Sequence, residues 1–192
     1  LIAKLKLNGQ NVFVTVKEIS SAIYLLDKYQ IDYTLINSRS DSLTGKVISG
    51  ISQNFQMLSF VKKNKIDLGI GSSMNIAHLS QITKMRSIVI DDDDDEVEPL
   101  FVKFVHPFAD TVLSPVSVLE HRKTKKAVFY SSYHELAYLH PDNFAPSSSI
   151  LAKLGVKEGE KYFILRFNAF KAHHDVNEHG LSKDQKQALI TT

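Results

Sequence analysis

Apolar positions along the chain recur in two alternating periods, and the switches between them outline the elements. Leu1, Ile2, Leu5 and Leu7 share a helical face, and Gly9 stands where a C-cap is expected. "NVFVTV" (11–16) is β-branched and predicts a strand. "ISSAIYLLDKYQ" (19–30) predicts a helix with Ile19, Ala22, Ile23 and Leu26 inward. "IDYTLI" (31–36) predicts a second strand. After the polar turn "NSRSDS", Val47, Ile48, Ile51, Phe55, Leu58 and Val61 recur at three- and four-residue steps, which predicts a helix from Leu43 to Asn64. "IDLGIG" (66–71), "SSMNIAHLSQIT" (72–83) and "RSIVI" (86–90) read as strand, helix and strand. This alternation predicts an α/β fold with a parallel sheet, helices on its faces and strands buried on both sides.

Beyond Ile90 the rhythm breaks at "DDDDDEVEP". Strands are expected at "DTVLSP" (110–115) and "AVFYSS" (127–132). "HELAYLHPDNFAPSSS" has the proline content of a linker. "SSILAKLGVKEGE" predicts a short helix ended by Gly155. "KYFILRF" (161–167) predicts the first strand of a fresh sheet. Ser182 and Gln185 have capping-box spacing at the start of a last helix. The expected organisation is a Rossmann-like lobe over 1–140, a linker with a short helix over 141–159, and the beginning of a second Rossmann-like lobe over 160–192. The chain opens already in helical register and stops within a helical pattern, so it reads as a fragment, with the first strand of the first lobe missing.

Composition narrows the class. Of 192 residues, 43% are hydrophobic and 23% charged, as in ordinary globular proteins. A net charge of +2, without a basic stripe, argues against a nucleic-acid partner. The absence of cysteine excludes disulfides and thiolate metal sites and fits a reducing compartment. No apolar run reaches the roughly 20 residues of a membrane span, and no signal peptide is evident. Peripheral membrane association stays open.

Ligands of open parallel sheets bind beyond the carboxyl ends of the strands, and four stretches fall there. In "GIGSS", Gly71, Ser72 and Ser73 join a strand to a helix, where close backbone approach and free N–H groups suit a phosphate or sugar. It lacks the third glycine of a dinucleotide fingerprint and the lysine of a P-loop, and a tight turn explains it equally well. In the aspartate run, Asp91 and Asp92 would lie at the mouth of a cleft, able to hold a cation or sugar hydroxyls. The spacing is not that of an EF-hand, and structural or solvent roles come ahead of metal. In "SSYHELAYLHP", His134 and Glu135 are candidate acid, base or hydroxyl ligands. There, Tyr133, Leu136, Tyr138 and Leu139 read as packing residues and His140 as a helix-end cap.

The fourth stretch, "FILRFNAFKAHHDVNEHGLS", gathers His173, His174, Asp175, Glu178 and His179. A zinc hydrolase helix needs two histidines four residues apart. His174 and His179 are five apart in a segment that reads as a loop, so no metal site is expected. Such a loop suits phosphate binding, with histidine as donor, cation or general base.

"DDDDDEVEPLFVKFVHPFADTVLSP", "YHELAYLHPDNF" and "YFILRFNAFKAHHDVNEHGLS" together resemble the family called domain of unknown function 354, from about "VFVTVKE" onward. That family is similar to GT-B glycosyltransferases and non-hydrolysing nucleotide-sugar 2-epimerases. The resemblance implies two Rossmann-like lobes facing a cleft, and work in cell-surface polysaccharide or glycoconjugate synthesis in the cytoplasm or at the inner membrane face. It further implies a nucleotide-sugar donor, a glycan or lipid-linked acceptor and no cofactor. Full-length relatives carry one more strand before the position of Leu1, and bind the donor nucleotide mainly in the second lobe.

Three readings follow. For a transferase, His174 and Asp175 would supply the base, with Arg166 and His179 on the diphosphate; a carboxylate partner is the bland role of Arg166. For an epimerase, Glu135 or Asp92 would matter more. The third is a non-catalytic sugar-nucleotide or glycan binder. The sugar, the acceptor and the oligomeric state are not written in the sequence.

Overall fold

Each strand pair in the computed structural model is parallel, as the strand–helix alternation required. Residues 1–36, 43–157, 159–167 and 180–191 are described. They divide into two compact units, Leu1–Ala137 and Tyr138–Thr192.

The first unit opens with α1 (Ile2–Leu7), which leads to β1 (Thr15–Lys17) and α2 (Ser20–Lys28). The chain continues through β2 (Thr34–Ile36), α3 (Leu43–Asn64), β3 (Leu68–Gly71), α4 (Met74–Ile82) and β4 (Arg86–Ile90). It then forms α5 (Pro99–Phe104), β5 (Thr111–Pro115) and β6 (Ala127–Tyr130). β1 and β2 make one two-stranded sheet, and β3-β4-β5-β6 make a second in that order. The fold class is therefore α/β, with parallel sheets.

The order β3-β4-β5-β6 decides where the core lies. When each strand lies beside the next in sequence, right-handed crossovers put the connecting helices on one face. Val89 and Val112, cross-strand partners, are wholly buried there with Ala77 of α4 and with Val105 and Ala109, and Phe101 of α5 packs on them. Full burial of such a side chain contributes about 1.5–3 kcal/mol. Val61, Ile76, Leu79 and Met85 form a second cluster, joined by Met57, Leu58 and Ile66. On the opposite face Ile88, Ile90, Thr111 and Leu113 are only half-buried. The expected burial on both faces is thus met on one, because no reversal of strand order sends these crossovers to the other side.

Within α3 the buried face runs through Gln53 and Val61, with Met57 half-buried between them. Phe55, expected inward, points away and is 67% exposed; two residues on a helix turn a side chain to roughly the opposite side. Val47, Ile48 and Ile51 lie outside the residues whose side chains are described. α5 was not foreseen, although Pro99 occupies the first helical turn, where a missing N–H costs nothing.

In the second unit α6 (Leu136–Leu139, which straddles the boundary), α7 (Ser149–Lys153) and α8 (Lys183–Thr191) are short. Gly155 has φ +74° beyond α7, where Val156 N donates to Leu151 O, so the expected glycine cap is present. Before α8, Ser182 N donates to Gln185 Oε1 and Gln185 N to Ser182 Oγ, at 2.8 and 3.2 Å, which is the capping box. The expected strand at 161–167 is corrected: these residues form no ladder among the described residues, and Phe163 and Ile164 are 93% and 83% exposed. A strand needs a neighbour to accept its backbone hydrogen bonds, and the local pattern cannot supply one. Tyr133, Leu136, Tyr138 and Leu139, read as packing residues, are exposed. His140 Nδ1 accepts from Asp142 N and so caps the following turn rather than a helix end. Among the described residues no helix is long and apolar enough to cross a membrane.

Candidate functional site

Four parallel strands bring four carboxyl ends to one edge of the sheet, and the loops there hold most of the candidate residues. After β3, Gly71 has φ +155°, a backbone region open essentially to glycine, and a Cβ would lie 3.2 Å from Ile76 Cδ1. Ser73 is the N-cap of α4, its Oγ accepting from Asn75 N at 3.4 Å. The bland role of the turn is therefore present, while Ser72 is exposed.

After β4 the aspartate run is only partly solvated. Asp91 is 7% exposed and Asp95 4%. Arg122 Nη1 donates to Asp91 Oδ2 at 2.8 Å and to Asp95 Oδ1 at 2.6 Å. Its Nη2 donates to the carbonyls of Asp91 and Asp93. His106 Nε2 lies 2.7 Å from Asp91 Oδ2, and since an ionised carboxylate only accepts, the proton sits on Nε2. Burial by itself would raise the Asp91 carboxyl. The His106 hydrogen bond, the Arg122 charge and the Asp93 amide outweigh it and hold Asp91 below the usual carboxylate range. Asp91, a candidate ligand for cation or sugar, is thus engaged in an internal ion pair, the structural role weighed for this run.

Asp92 keeps an exposed side chain. Counting on from the Ile90–Leu113 register, Asp92 falls level with Pro115, whose partner on the next strand is Tyr130. The Tyr130 phenol is raised by burial, then by the negative charges of Asp92 and Glu135. The negative charges of Asp92 and Glu135, 43 residues apart by their numbers, thus both act on one half-buried tyrosine at the sheet edge. Two carboxylates and a phenol can accept from and donate to neighbouring hydroxyls of a polyhydroxylated ligand.

His134 is exposed beside Glu135, and Arg166 is exposed in the second unit. His174, Asp175 and His179 lie outside the described residues, as do His173 and Glu178. Among the described residues no group of three or more His, Asp or Glu could hold a metal ion. Two open hollows lie elsewhere: about 390 Å³ at Asp27, Gln30 and Tyr33, and an apolar one of about 400 Å³ between β1 and α2.

Arg122, His106 and Tyr130 escaped the sequence reading. Arg122 sits in "EHRKTKK", which reads as a solvated basic turn, and His106 in "FVHPF" has no polar neighbour in sequence. The signal for them in the sequence is the acidic run after an apolar strand, whose buried members need a cation. Compared with known proteins, the chain matches no family model, no curated protein and no solved structure.

Proposed function

We propose that this chain belongs to a nucleotide-sugar-dependent glycosyltransferase of the GT-B type, acting in surface polysaccharide or glycoconjugate synthesis, with its site at the carboxyl edge of β3–β6. The observation that carries this reading is that the charges of Asp92 and Glu135 both act on Tyr130 at that edge, where the Gly71–Ser73 turn also opens into α4. The parallel α/β architecture and the resemblance to the domain of unknown function 354 family support it. In this reading a nucleotide-sugar donor and a glycan or lipid-linked acceptor are the partners, and the protein works in the cytoplasm or at the inner membrane face.

The same grouping favours a second reading. Two carboxylates around a tyrosine suit the deprotonation and reprotonation of a sugar carbon, as in a 2-epimerase.

The full-length protein screened by thermal shift against a panel of nucleotide sugars tests both. Binding followed by acceptor-dependent transfer supports the transferase. Epimerised product without an acceptor overturns it in favour of the epimerase, and tight binding without turnover leaves a binder. His174→Ala should abolish turnover and spare the melting temperature; a large loss of stability would make it a structural histidine.

A further inference from the structure

A run of five aspartates repels itself, and without compensation the segment would be a solvated loop. Here the residues flanking Asp92 are each tied down. Asp91 N donates to Leu113 O, and Asp93 N donates to Asp91 Oδ1 at 3.2 Å. Lys123 N donates to Asp95 Oδ2 at 2.9 Å. The Arg122 side chain, 0% exposed, reaches the carbonyls of Asp91 and Asp93 with one nitrogen and the carboxylates of Asp91 and Asp95 with the other. Asp92 is bracketed by these bonds, yet its own side chain is exposed.

We propose that Arg122 is the positioning residue of the sheet edge, gripping Asp91, Asp93 and Asp95 so that Asp92 is presented as a fixed carboxylate acceptor for a ligand hydroxyl. The ligand half of this proposal rests on the reading of the carboxyl edge as a sugar site. The positional half rests on hydrogen bonds alone. The planar fork of arginine is what the job needs, since four acceptors lie on both sides of one residue. A lysine would keep the charge but could not span them. His106 Nε2 meets the same Asp91 Oδ2 that Arg122 Nη1 reaches, so both hold one carboxylate oxygen of Asp91.

Tyr130 is sensitive to Asp92, because its phenol is raised first by burial and then by the Asp92 and Glu135 charges. The test uses the intact protein labelled with 15N and with 13C at tyrosine Cζ, with Tyr130 assigned through Tyr130→Phe. Asp92→Asn should bring the Tyr130 titration down toward that of free tyrosine. Arg122→Lys should move it the same way and lower the amide order of Asp92 and Asp93, while Val89 and Val112 amides stay protected. Adding Asp92→Asn to Arg122→Lys should give no further change. If Arg122→Lys fails to fold, Asp95→Asn removes one of the gripped carboxylates and should shift Tyr130 in the same direction. An unshifted Tyr130 with unchanged amide order in the folded variant overturns the proposal, as does an Asp92→Asn that leaves Tyr130 alone.

For the ligand half, uridine diphosphate glucose is the probe. Arg122→Lys and Asp92→Asn should each weaken binding about tenfold, the scale of one charge-assisted hydrogen bond. Undiminished binding to Asp92→Asn overturns Asp92 as a ligand acceptor. Absence of binding to the wild type counts against the functional reading, and the Tyr130 result still decides whether Arg122 positions Asp92.

Discussion

The Nη1 atom of Arg122 lies 2.8 Å from Oδ2 of Asp91, closing a contact between residues 31 positions apart and fastening the loop after β4 to the turn before β6. Both side chains are almost fully withdrawn from solvent, at 0% and 7% exposure. Taking two charges out of water is costly, and further hydrogen bonds around the pair offset part of that cost. Asp95, the two loop carbonyls and His106 supply these bonds, while Arg122 Nε and His106 Nδ1 are buried without a partner among the described residues.

Removing one partner should therefore be severe. Arg122→Met leaves Asp91 and Asp95 buried without a cation, and the expected loss is about 3–5 kcal/mol. Urea denaturation at pH 7 measures it. Lys123→Ala breaks only the exposed contact to Glu96 and should leave the midpoint unchanged.

Asp91 also sets an acid limit. Its folded pKa lies below the unfolded carboxylate value of about 3.9, so its stabilising contribution is fully present above that value. As pH falls through the lower folded value, the carboxylate is protonated in the native state too and the contribution disappears. Denaturation midpoints at pH 7, 5, 4 and 3 should fall steeply only at the acid end. In Asp91→Asn the midpoint should be lower at pH 7 and the acid limb shallower.

The two sides of the helical layer should respond differently to truncation. Leu79, 1% exposed in the cluster with Val61 and Met85, should lose about 2–5 kcal/mol on substitution by alanine. Phe55→Ala, on the exposed side of α3, should change stability by less than about 0.5 kcal/mol. Equal effects in chemical denaturation would mean that the described face of α3 is not the one buried in solution.

Gly71→Ala probes the turn into α4. It forces a side chain into a glycine-only backbone region and places Cβ 3.2 Å from Ile76 Cδ1, so about 1–3 kcal/mol should be lost. Thermal denaturation should show this loss, and Ser72→Ala beside it should be nearly neutral because that side chain is exposed.

Local patterns settled most elements of the first unit. The helix from Leu43 to Asn64, the strand at Arg86–Ile90 and the serine–glutamine box before α8 depend on residues close in sequence, and the structure has each of them. Parallel pairing also followed, because a helix between two strands leaves room for little else.

What the tertiary structure alone decided was which polar residues meet. Nothing in "DDDDDEVEP" distinguishes Asp91 from Asp92. Strand order and register turn the first toward Arg122 and His106 and the second toward solvent. Nor could "KYFILRF" reveal that its apolar residues stand exposed, since β-propensity says only that a segment suits a ladder. Periodicity is a property of neighbours along the chain. Burial, ion pairing and strand partnership are set by residues that sequence distance hides.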